Sequence, residues 1–336
     1  MHYKFFGKSG LKVSEIALGV QTFGWCADEK VAHAILDRFV EAGGNVLDTA
    51  NSYNEGQSEQ MLGNWLHARN NRDSLVINTK VFFPTGNGPN DTGLTRKHIY
   101  NEIEKSLQRL QTDYIDVYQL HCFDESTPLE ETLCALDDLV HAGKVRYIGA
   151  SNFTPSQLQK ALMMSKINGW QSFASLQPEY SLLVRSLEWE LLPLCQQEGL
   201  AVLPWSPLAG GWLTGKYRKD REAPSNSRVG RKDRWDDQAE QRASDLTWRV
   251  IDTLIAIGNE RGKTPAQVAL NWVIQQQGVT SPIMGARTPE QLDENLGSTG
   301  WALNAEEIET LNAASDLPLP SPYNFIRRYS RKRIMS

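Results

Sequence analysis

The sequence predicts an α/β fold, a single (β/α)8 barrel of the TIM type that takes in residues 1–336 as one domain. Eight short apolar runs alternate with longer segments of helical period, which is typical of parallel βαβ units. The length of 336 residues suits one such barrel, and no internal repeat or Pro/Gly/Ser-rich linker divides the chain. An open doubly wound sheet would show the same alternation and is the competing arrangement.

The candidate strands are short runs rich in β-branched and other apolar side chains. They cover residues 16–20, 45–50, 75–80, 115–121, 145–151, 175–180, 200–207 and 281–285. The candidate helices have apolar side chains at three- and four-residue spacing. They cover residues 29–42, 58–69, 95–110, 129–142, 155–165, 187–198, 246–261 and 289–296. Each strand is therefore followed by one helix, as a barrel requires.

Glycine, proline and threonine mark the ends of several elements. The pair Gly43-Gly44 ends the first helix before the second strand. Thr154-Pro155 is an N-cap followed by a first-turn proline, and residues 264–265 repeat that pattern. Near the start of the chain, two apolar runs flank the turn at residues 7–10, which predicts a β-hairpin within residues 1–14, outside the barrel.

Three segments depart from the βα rhythm. Residues 83–93 are rich in Gly, Pro and Asn and should form a loop. Residues 208–245, after the seventh strand, are predicted to be a long loop with little regular structure, which is typical of a functional lid. Within it, residues 216–234 hold eight cationic and three acidic side chains, so the local charge is 8 − 3 = +5. A solvated loop with incidental charge is the alternative. The tail, residues 317–336, is Pro-rich and then basic, typical of a solvated end.

Composition and charge exclude several classes of protein. With 40% hydrophobic and 22% charged residues the chain should have a sizeable core. A net charge of −5 argues against a nucleic-acid binder. No apolar run approaches the ~18 residues of a membrane span or forms the apolar core of a signal peptide, so we expect a cytoplasmic protein with no membrane partner. Four widely spaced cysteines without a C-x-x-C pair argue against disulfides or a metal site.

Four polar side chains fall where a barrel enzyme holds its active site, at the carboxyl ends of the strands. Asp48 and then Tyr53 follow the second strand, Lys80 ends the third, and His121 ends the fourth. A nearby ammonium lowers the pKa of a tyrosine, and a carboxylate keeps that ammonium charged. A neutral histidine can donate to a developing alkoxide. Each residue alone could be a turn residue, a solvated lysine or a satisfied loop histidine, but together they predict a proton-transfer site.

Seven segments, in order and with similar spacing, resemble the aldo-keto reductase superfamily over nearly the whole chain. They are residues 47–53 (LDTANSY), 78–80 (NTK), 116–121 (DVYQLH), 149–153 (GASNF), 176–180 (LQPEY), 204–208 (PWSPL) and 285–295 (GARTPEQLDEN). Residues 93–98 (GLTRKH) and Trp205 point to the bacterial general-reductase branch and the potassium-channel β-subunit branch.

The resemblance implies an NADPH-dependent reductase of aldehydes and ketones that also works in reverse with NADP+, without a metal. It also implies a catalytic tetrad, formed by Asp48, Tyr53, Lys80 and His121. Tyr53 would be the general acid in reduction, and Lys80, paired with Asp48, would lower its pKa. His121 would orient the carbonyl oxygen while hydride passes from the nicotinamide C4 to the carbonyl carbon.

The same resemblance implies the residues that hold the cofactor, under the long loop at residues 208–245. They are Val20, Gln21, Asp48, Ser151, Asn152, Gln177, Trp205, Ser206, Pro207, Leu208, Gly210, Lys216, Arg228, Gly285, Arg287, Gln291, Glu294 and Asn295. Trp205 would stack on the nicotinamide, although a core tryptophan would also suit that position. Lys216, Arg228 and Arg287 would favour NADPH over NADH, because arginine binds phosphate well. No Gly-x-Gly-x-x-Gly follows a predicted strand, which argues against a Rossmann site.

The substrate pocket is less defined by the sequence. Aromatic side chains near the barrel mouth suit an apolar or aromatic carbonyl compound, although such residues are also common in packing. Trp25, Phe82 and Phe123 are the main candidates, with Phe83, Trp212 and Trp235 nearby. The partner would be a small carbonyl substrate, and the chain a monomer or homo-oligomer.

The main alternative is an NADPH-binding auxiliary subunit of a membrane channel with little turnover. The channel branch tends to carry Asn where this chain has His121, and it tends to carry an extended N-terminal segment. Both differences favour an enzyme. A barrel enzyme of unrelated chemistry is the third possibility, because this fold hosts many reactions.

Overall fold

The computed structural model describes residues 1–219, 221–225, 227, 229–230 and 242–330. It begins with the predicted antiparallel hairpin, formed by β1 (Tyr3–Phe5) and β2 (Lys12–Ser14). A small apolar cluster joins Phe6 and Val13 of the hairpin to residues at the starts of the barrel strands, such as Val46, Val76 and Ala201. The hairpin therefore covers the amino-terminal end of the barrel and leaves the opposite end for the site.

Eight strands form one sheet in which all neighbouring strands are parallel, and this confirms the barrel prediction. They are β3 (Ala17–Gly19), β4 (Val46–Asp48), β5 (Val76–Val81), β6 (Ile115–Leu120), β7 (Val145–Ser151), β8 (Ser175–Gln177), β9 (Ala201–Val202) and β10 (Ile283–Gly285). The order is β10-β3-β4-β5-β6-β7-β8-β9. Backbone hydrogen bonds from Thr280 to Val202 (2.8 Å) and from Ile283 to Pro204 (2.7 Å) bring β9 back to β10, so the sheet closes.

Strands β8 and β9 end well before their predicted limits, and proline is the reason in both. Strand β8 stops at Gln177 instead of residue 180, because Pro178 has no backbone N–H to donate. Strand β9 stops at Val202 instead of residue 207, since Pro204 and Pro207 interrupt the ladder. The residues beyond both strands still lie at the carboxyl end of the barrel, where a parallel bridge joins Glu179 to Trp205.

Helices surround the sheet at the predicted places, and others extend the prediction. They are α1 (Glu29–Glu41), α2 (Gln57–Arg69), α3 (Arg96–Leu110), α4 (Leu129–His141), α5 (Pro155–Asn168), α6 (Leu191–Glu198), α7 (Asp245–Arg261), α8 (Pro265–Gln275), α9 (Pro289–Leu296), α10 (Ala305–Ala314) and α11 (Tyr323–Tyr329). Capping boxes start α5, α8 and α10, and in each the side chains of the cap and the third helical residue satisfy backbone N–H groups. The candidate helix at residues 187–198 begins only at Leu191, after a 3-10 turn.

The segment after β9 is more ordered at its start than the sequence predicts. A 3-10 helix covers Ala209–Thr214, and inside it Gly210 and Gly211 have φ values of 67° and 95°. Trp212 is buried against Tyr217 and Trp248, which makes it a core residue and not a pocket residue. Arg228 and Trp235 lie outside the described residues. Within the part of the chain that the structure describes, no helix is long and apolar enough to cross a membrane.

Candidate active site

The four residues of the predicted tetrad meet at the carboxyl end of the barrel. Asp48 ends β4, and Lys80 lies near the end of β5, the neighbouring parallel strand. The Lys80 Nζ atom is 2.5 Å from Asp48 Oδ1 and 3.3 Å from the Tyr53 hydroxyl. The rings of Tyr53 and His121 are 5.6 Å apart at an angle of 75°. The structure therefore places the four side chains in one connected group.

The ion pair of Asp48 and Lys80 is almost fully enclosed, with side-chain exposures of 4% and 3%. Lys80 donates to three acceptors, since Thr49 O (2.7 Å) adds to the Asp48 carboxylate and the Tyr53 hydroxyl. The other Asp48 oxygen accepts from Asn78 Nδ2 and Gln177 Nε2, each at 2.9 Å. A carboxylate that faces only donors and an ammonium that faces only acceptors are stable in their charged forms.

The surroundings raise both pKa values of the pair, which favours the charged form of Lys80 but opposes that of Asp48. Burial opposes the charge on Lys80, but the Asp48 carboxylate and the Tyr53 hydroxyl outweigh it and raise the pKa of Lys80. Burial raises the pKa of Asp48, while Lys80 and the two amide donors oppose that rise. We assign the charged pair, because every side chain that hydrogen-bonds to Asp48 does so as a donor.

Tyr53 and His121 are both held in their neutral forms near neutral pH. Desolvation of the hydroxyl raises the pKa of Tyr53 above its ordinary value of 10.0, and the Lys80 charge acts in the opposite direction. The Lys80 charge thus lowers the pKa of Tyr53, as predicted, but burial has the larger effect on that pKa. Burial and the Lys80 charge hold the pKa of His121 well below 6.5. The site therefore presents a protonated phenol beside a neutral imidazole.

A strained turn places Tyr53. The backbone N–H of Asn51 donates to Lys80 O (3.2 Å), which ties this turn to β5. Directly after Tyr53, the left-handed residues Asn54 and Glu55 have φ values of 51° and 58°. The Asn54 side chain donates to the carbonyls of Gln21 (2.8 Å) and Phe23 (2.7 Å). Asn54 is a positioning residue that the sequence analysis missed. Its one sequence signal is that asparagine tolerates a left-handed backbone.

The residues predicted to contact a nicotinamide follow the next strands in order. Ser151 ends β7 and donates to Gln177 O (2.8 Å) at the end of β8. Asn152 is left-handed (φ 57°), and its amide donates to His121 O (2.8 Å). Gln177 Oε1 and Trp205 Nε1 are buried, and neither has a hydrogen-bond partner in the described part of the chain. Such unpaired polar atoms at a strand end suit a polar ligand, because burying them unpaired costs free energy.

The segment after β9 carries a series of left-handed residues. Ser206 and Ala209 have φ values of 56° and 50°, and Gly210 follows them at 67°. The Gly210 N–H donates to Ser206 Oγ (3.2 Å), while Pro207 is buried and Leu208 is half-buried. The backbone N–H groups of Ala209 and Gly211 also donate within this segment, to Ser206 O (2.8 Å) and Leu208 O (2.9 Å), and these bonds fix its shape. Further along, Lys216 is exposed, with Nζ 5.1 Å from the Tyr217 ring.

The adenosine-side candidates lie around the start of α9. Gly285 ends β10, and its carbonyl accepts from Asn295 Nδ2 (3.1 Å). The backbone N–H of half-buried Arg287 donates to Gln291 Oε1 (3.0 Å), so the loop folds back on the helix. Glu294 is exposed on α9. Strand β3, which pairs with β10, leads into Val20 and Gln21. Val20 is buried and its N–H donates to Asp48 O (2.9 Å), while Gln21 is partly exposed.

Among the aromatic candidates, the structure brings one pair to the tetrad. Phe83 packs edge-on against His121 at 4.7 Å, and Phe82 packs against Phe83 at 5.3 Å. Phe83 is also 41% exposed, so its ring borders the mouth of the site. Phe123 instead packs on Phe153, a core residue.

Trp25 lies partly exposed in the loop after β3, where its backbone N–H donates to Thr22 O (3.2 Å).

Comparison with known proteins identifies the family to which the chain belongs. A model of the aldo/keto reductase family matches residues 15–316. The chain is 38% identical over 321 residues to an uncharacterized oxidoreductase of Bacillus subtilis, which covers 93% of this chain and 95% of that one. It is 38% identical over 299 residues to a probable voltage-gated potassium channel subunit beta of Arabidopsis thaliana, covering 88% and 90%. It is 33% identical over 335 residues to versiconal hemiacetal acetate reductase of Aspergillus parasiticus, covering 93% and 96%.

Replacement of Asp48 by Asn should destabilise the fold strongly. The Asp48→Asn variant leaves the buried Lys80 without a countercharge, so we expect the free energy of unfolding to fall by about 3–5 kcal/mol. Asp138→Asn is the matched control, because Asp138 pairs with Arg96 at the surface (2.5 Å), where loss of the pair should cost about 1 kcal/mol or less. Urea unfolding measures both, and equal losses would show that the buried pair is not special.

Proposed function

We propose that this chain, which belongs to the aldo/keto reductase family, reduces aldehydes or ketones to alcohols with NADPH, reversibly. The observation that carries the proposal is the hydrogen-bonded series Asp48, Lys80 and Tyr53 beside a neutral His121. When bound, NADPH would supply a hydride from the nicotinamide C4 to the carbonyl carbon. The protein's own residues then handle the proton and the carbonyl oxygen.

Tyr53 is the proton donor in this proposal. Its hydroxyl releases a proton to the carbonyl oxygen as the hydride reaches the carbon, so that H− and H+ add across the C=O bond. The phenolate left behind lies beside the Lys80 ammonium, which stabilises it until it takes a proton from solvent. The neutral His121 donates one N–H to the carbonyl oxygen and favours its developing negative charge.

The residues present suit a nicotinamide. The buried, unpaired Gln177 Oε1 and Trp205 Nε1 support a polar group such as the carboxamide at the ends of β8 and β9. Ser151 and Asn152 would border the same group, and the Trp205 indole would offer a flat surface to the ring.

A preference for NADPH rests on charge. The segment from Ser206 to Gly210, including Pro207 and Leu208, would lie along the pyrophosphate, since it follows β9 at the carboxyl end of the barrel. The positive charges of Lys216, Arg228 and Arg287 would compensate the negative charge of the 2′-phosphate. Arg228 lies outside the described residues. Gly285, Gln291, Glu294 and Asn295 would border the adenosine, since the Gln291 and Asn295 side chains bind the backbone of Arg287 and Gly285. We further propose a cytoplasmic location.

An auxiliary role on a membrane channel is the second candidate. The similarity to a probable potassium channel subunit beta favours it. The complete proton-donor series favours turnover, because binding NADPH alone needs no buried ammonium beside a phenol. Turnover with NADPH and a panel of carbonyl compounds, followed by absorbance at 340 nm, separates the two candidates. NADPH binding without turnover would favour the auxiliary role.

The Tyr53→Phe variant should bind NADPH normally but lose turnover. A general acid contributes about 100- to 10,000-fold, so kcat should fall by at least about 100-fold, while the Kd for NADPH stays within about twofold. Tyr147→Phe is the control, since Tyr147 packs against Phe6 at the other end of the barrel. Steady-state kinetics and fluorescence quenching measure the two quantities. Lost NADPH binding, or an unchanged kcat, would make Tyr53 structural.

The Arg287→Ala variant should weaken NADPH binding selectively. Loss of a charge-assisted hydrogen bond costs about 1.5–3 kcal/mol, so we expect the Kd for NADPH to rise about 10- to 100-fold and that for NADH about twofold or less. Arg146→Ala is the control, because Arg146 lies near the start of β7 and stacks on Tyr114. Equal changes for both cofactors, measured by fluorescence titration, would remove Arg287 from the 2′-phosphate.

A further inference from the structure

A buried carboxylate on α3 lies between two loops of the site. Glu102 is 1% exposed, and both of its oxygens accept hydrogen bonds. Oε2 accepts from Asn51 Nδ2 (2.8 Å), and Oε1 accepts from Thr85 Oγ1 (3.0 Å) and Lys105 Nζ (2.8 Å). Asn51 belongs to the loop after β4 and Thr85 to the loop after β5, so one carboxylate joins two separate loops.

Each of these loops carries a part of the site. Asn51 lies two residues before Tyr53, and its backbone N–H donates to Lys80 O (3.2 Å). Thr85 lies two residues after Phe83, whose ring packs edge-on against His121 at 4.7 Å. The loop that contains Thr85 is closed by hydrogen bonds of its own, from Gly93 N to Phe82 O (2.8 Å) and from Thr85 N to Asp91 O (3.0 Å). The loop therefore forms one hydrogen-bonded unit, and Thr85 ties that unit to α3.

The side chain of Asn51 depends on Glu102 for its orientation. Its Oδ1 atom is buried and has no hydrogen-bond partner among the described residues, whereas its Nδ2 atom donates to Glu102. A buried amide that loses such a partner costs about 1–3 kcal/mol, and the chain relieves that cost by moving. Because Asn51 and Tyr53 share one short turn, such movement would displace the Tyr53 hydroxyl.

We propose that Glu102 is a positioning residue that fixes the turn bearing Tyr53 against the aromatic wall formed by Phe82 and Phe83. The inference rests on the proposed function and deepens it, since that wall would favour aromatic aldehydes over small aliphatic ones. Through Asn51, Glu102 governs the rate of proton transfer. Through Thr85, it governs the fit of an aromatic ring beside His121.

Two variants separate these effects. Glu102→Gln keeps the size of the side chain but removes its charge, and the one remaining acceptor oxygen cannot serve Asn51, Thr85 and Lys105 together, so both loops should loosen. Thr85→Val keeps the shape of Thr85 and removes only the hydroxyl, so only the loop with Phe83 should loosen. Glu104→Gln is the matched control, because Glu104 lies exposed on the same helix and pairs with Lys144.

Kinetics with benzaldehyde and propanal provide the first readout. In Glu102→Gln, kcat should fall about tenfold with both aldehydes, since small misplacement of reacting groups costs up to about 100-fold. The KM for benzaldehyde should rise about fivefold in Glu102→Gln and in Thr85→Val, whereas the KM for propanal and the Kd for NADPH stay within about twofold. Thr85→Val should keep the wild-type kcat with propanal, and Glu104→Gln should match wild type throughout. A purely structural Glu102 would lower the unfolding free energy without this split between the two aldehydes.

Hydrogen–deuterium exchange followed by mass spectrometry gives a readout that needs no turnover. Amides of residues 49–56 and 82–93 should exchange faster in Glu102→Gln, only those of 82–93 in Thr85→Val, and neither in Glu104→Gln. Unchanged exchange in both segments, or faster exchange with wild-type kinetics for both aldehydes, would overturn the inference. If Glu102→Gln does not fold, the Thr85→Val results decide. If wild type reduces no carbonyl compound, the proposed function fails, and exchange alone tests the link between the loops.

Discussion

The site depends on one buried ion pair, that of Asp48 and Lys80. Burying two charges costs several kcal/mol for each ion unless the geometry and the remaining hydrogen bonds compensate. The barrel provides this compensation from two other strands, because Asn78 of the adjacent β5 and Gln177 of the more distant β8 both donate to Asp48. Lys80 uses its remaining hydrogen bonds on Thr49 O and the Tyr53 hydroxyl. The same pair thus fixes the charge at the centre of the site and the position of the phenol.

Around this rigid centre, the functional groups lie on irregular backbone. Asn54, Asn152 and Ser206 all have left-handed φ values, which are costly for residues other than glycine. The Asn54 and Asn152 side chains donate to carbonyls of neighbouring segments, whereas the Ser206 hydroxyl accepts from the Gly210 N–H in its own segment. Glu102 belongs to the same pattern, because it connects loops that follow different strands. The barrel therefore supplies fixed strand ends, and short polar side chains set the loops between them.

Much of this arrangement could be predicted from the sequence. Short apolar runs indicate the strands, and the rule that parallel barrels place their sites at the carboxyl ends of strands predicts that Asp48, Lys80 and His121 lie together. Proline limited the accuracy of the strand ends, since Pro178 and Pro204 lie in runs that otherwise suit strands. The tetrad could be predicted because each member lies at the end of a strand or within one short turn of it.

Other parts of the site could not be predicted, because they depend on distances between segments far apart in the chain. Nothing in the spacing of Glu102 distinguishes it from Glu104, although the first is buried between two loops and the second is exposed. Likewise, Phe83 and Trp212 are both aromatic residues near predicted loops, but Phe83 reaches His121 while Trp212 lies in the core. The hydrophobic pattern of a sequence predicts which face of one helix or strand is buried. The roles of Glu102, Phe83 and Trp212 depend instead on how different elements pack against each other.

Burial beside the charged pair keeps Tyr53 protonated and His121 neutral around physiological pH. The most direct test is the pH dependence of kcat/KM for carbonyl reduction at saturating NADPH. The pKa of His121 lies well below 6.5 and that of Tyr53 above 10.0, so the proton-donor form should persist between these limits. The profile should therefore be flat from about pH 6.5 to about pH 9 and fall only at higher pH, as Tyr53 loses its proton. A decline centred near pH 6.5, or one between about pH 7 and 9, would contradict the account.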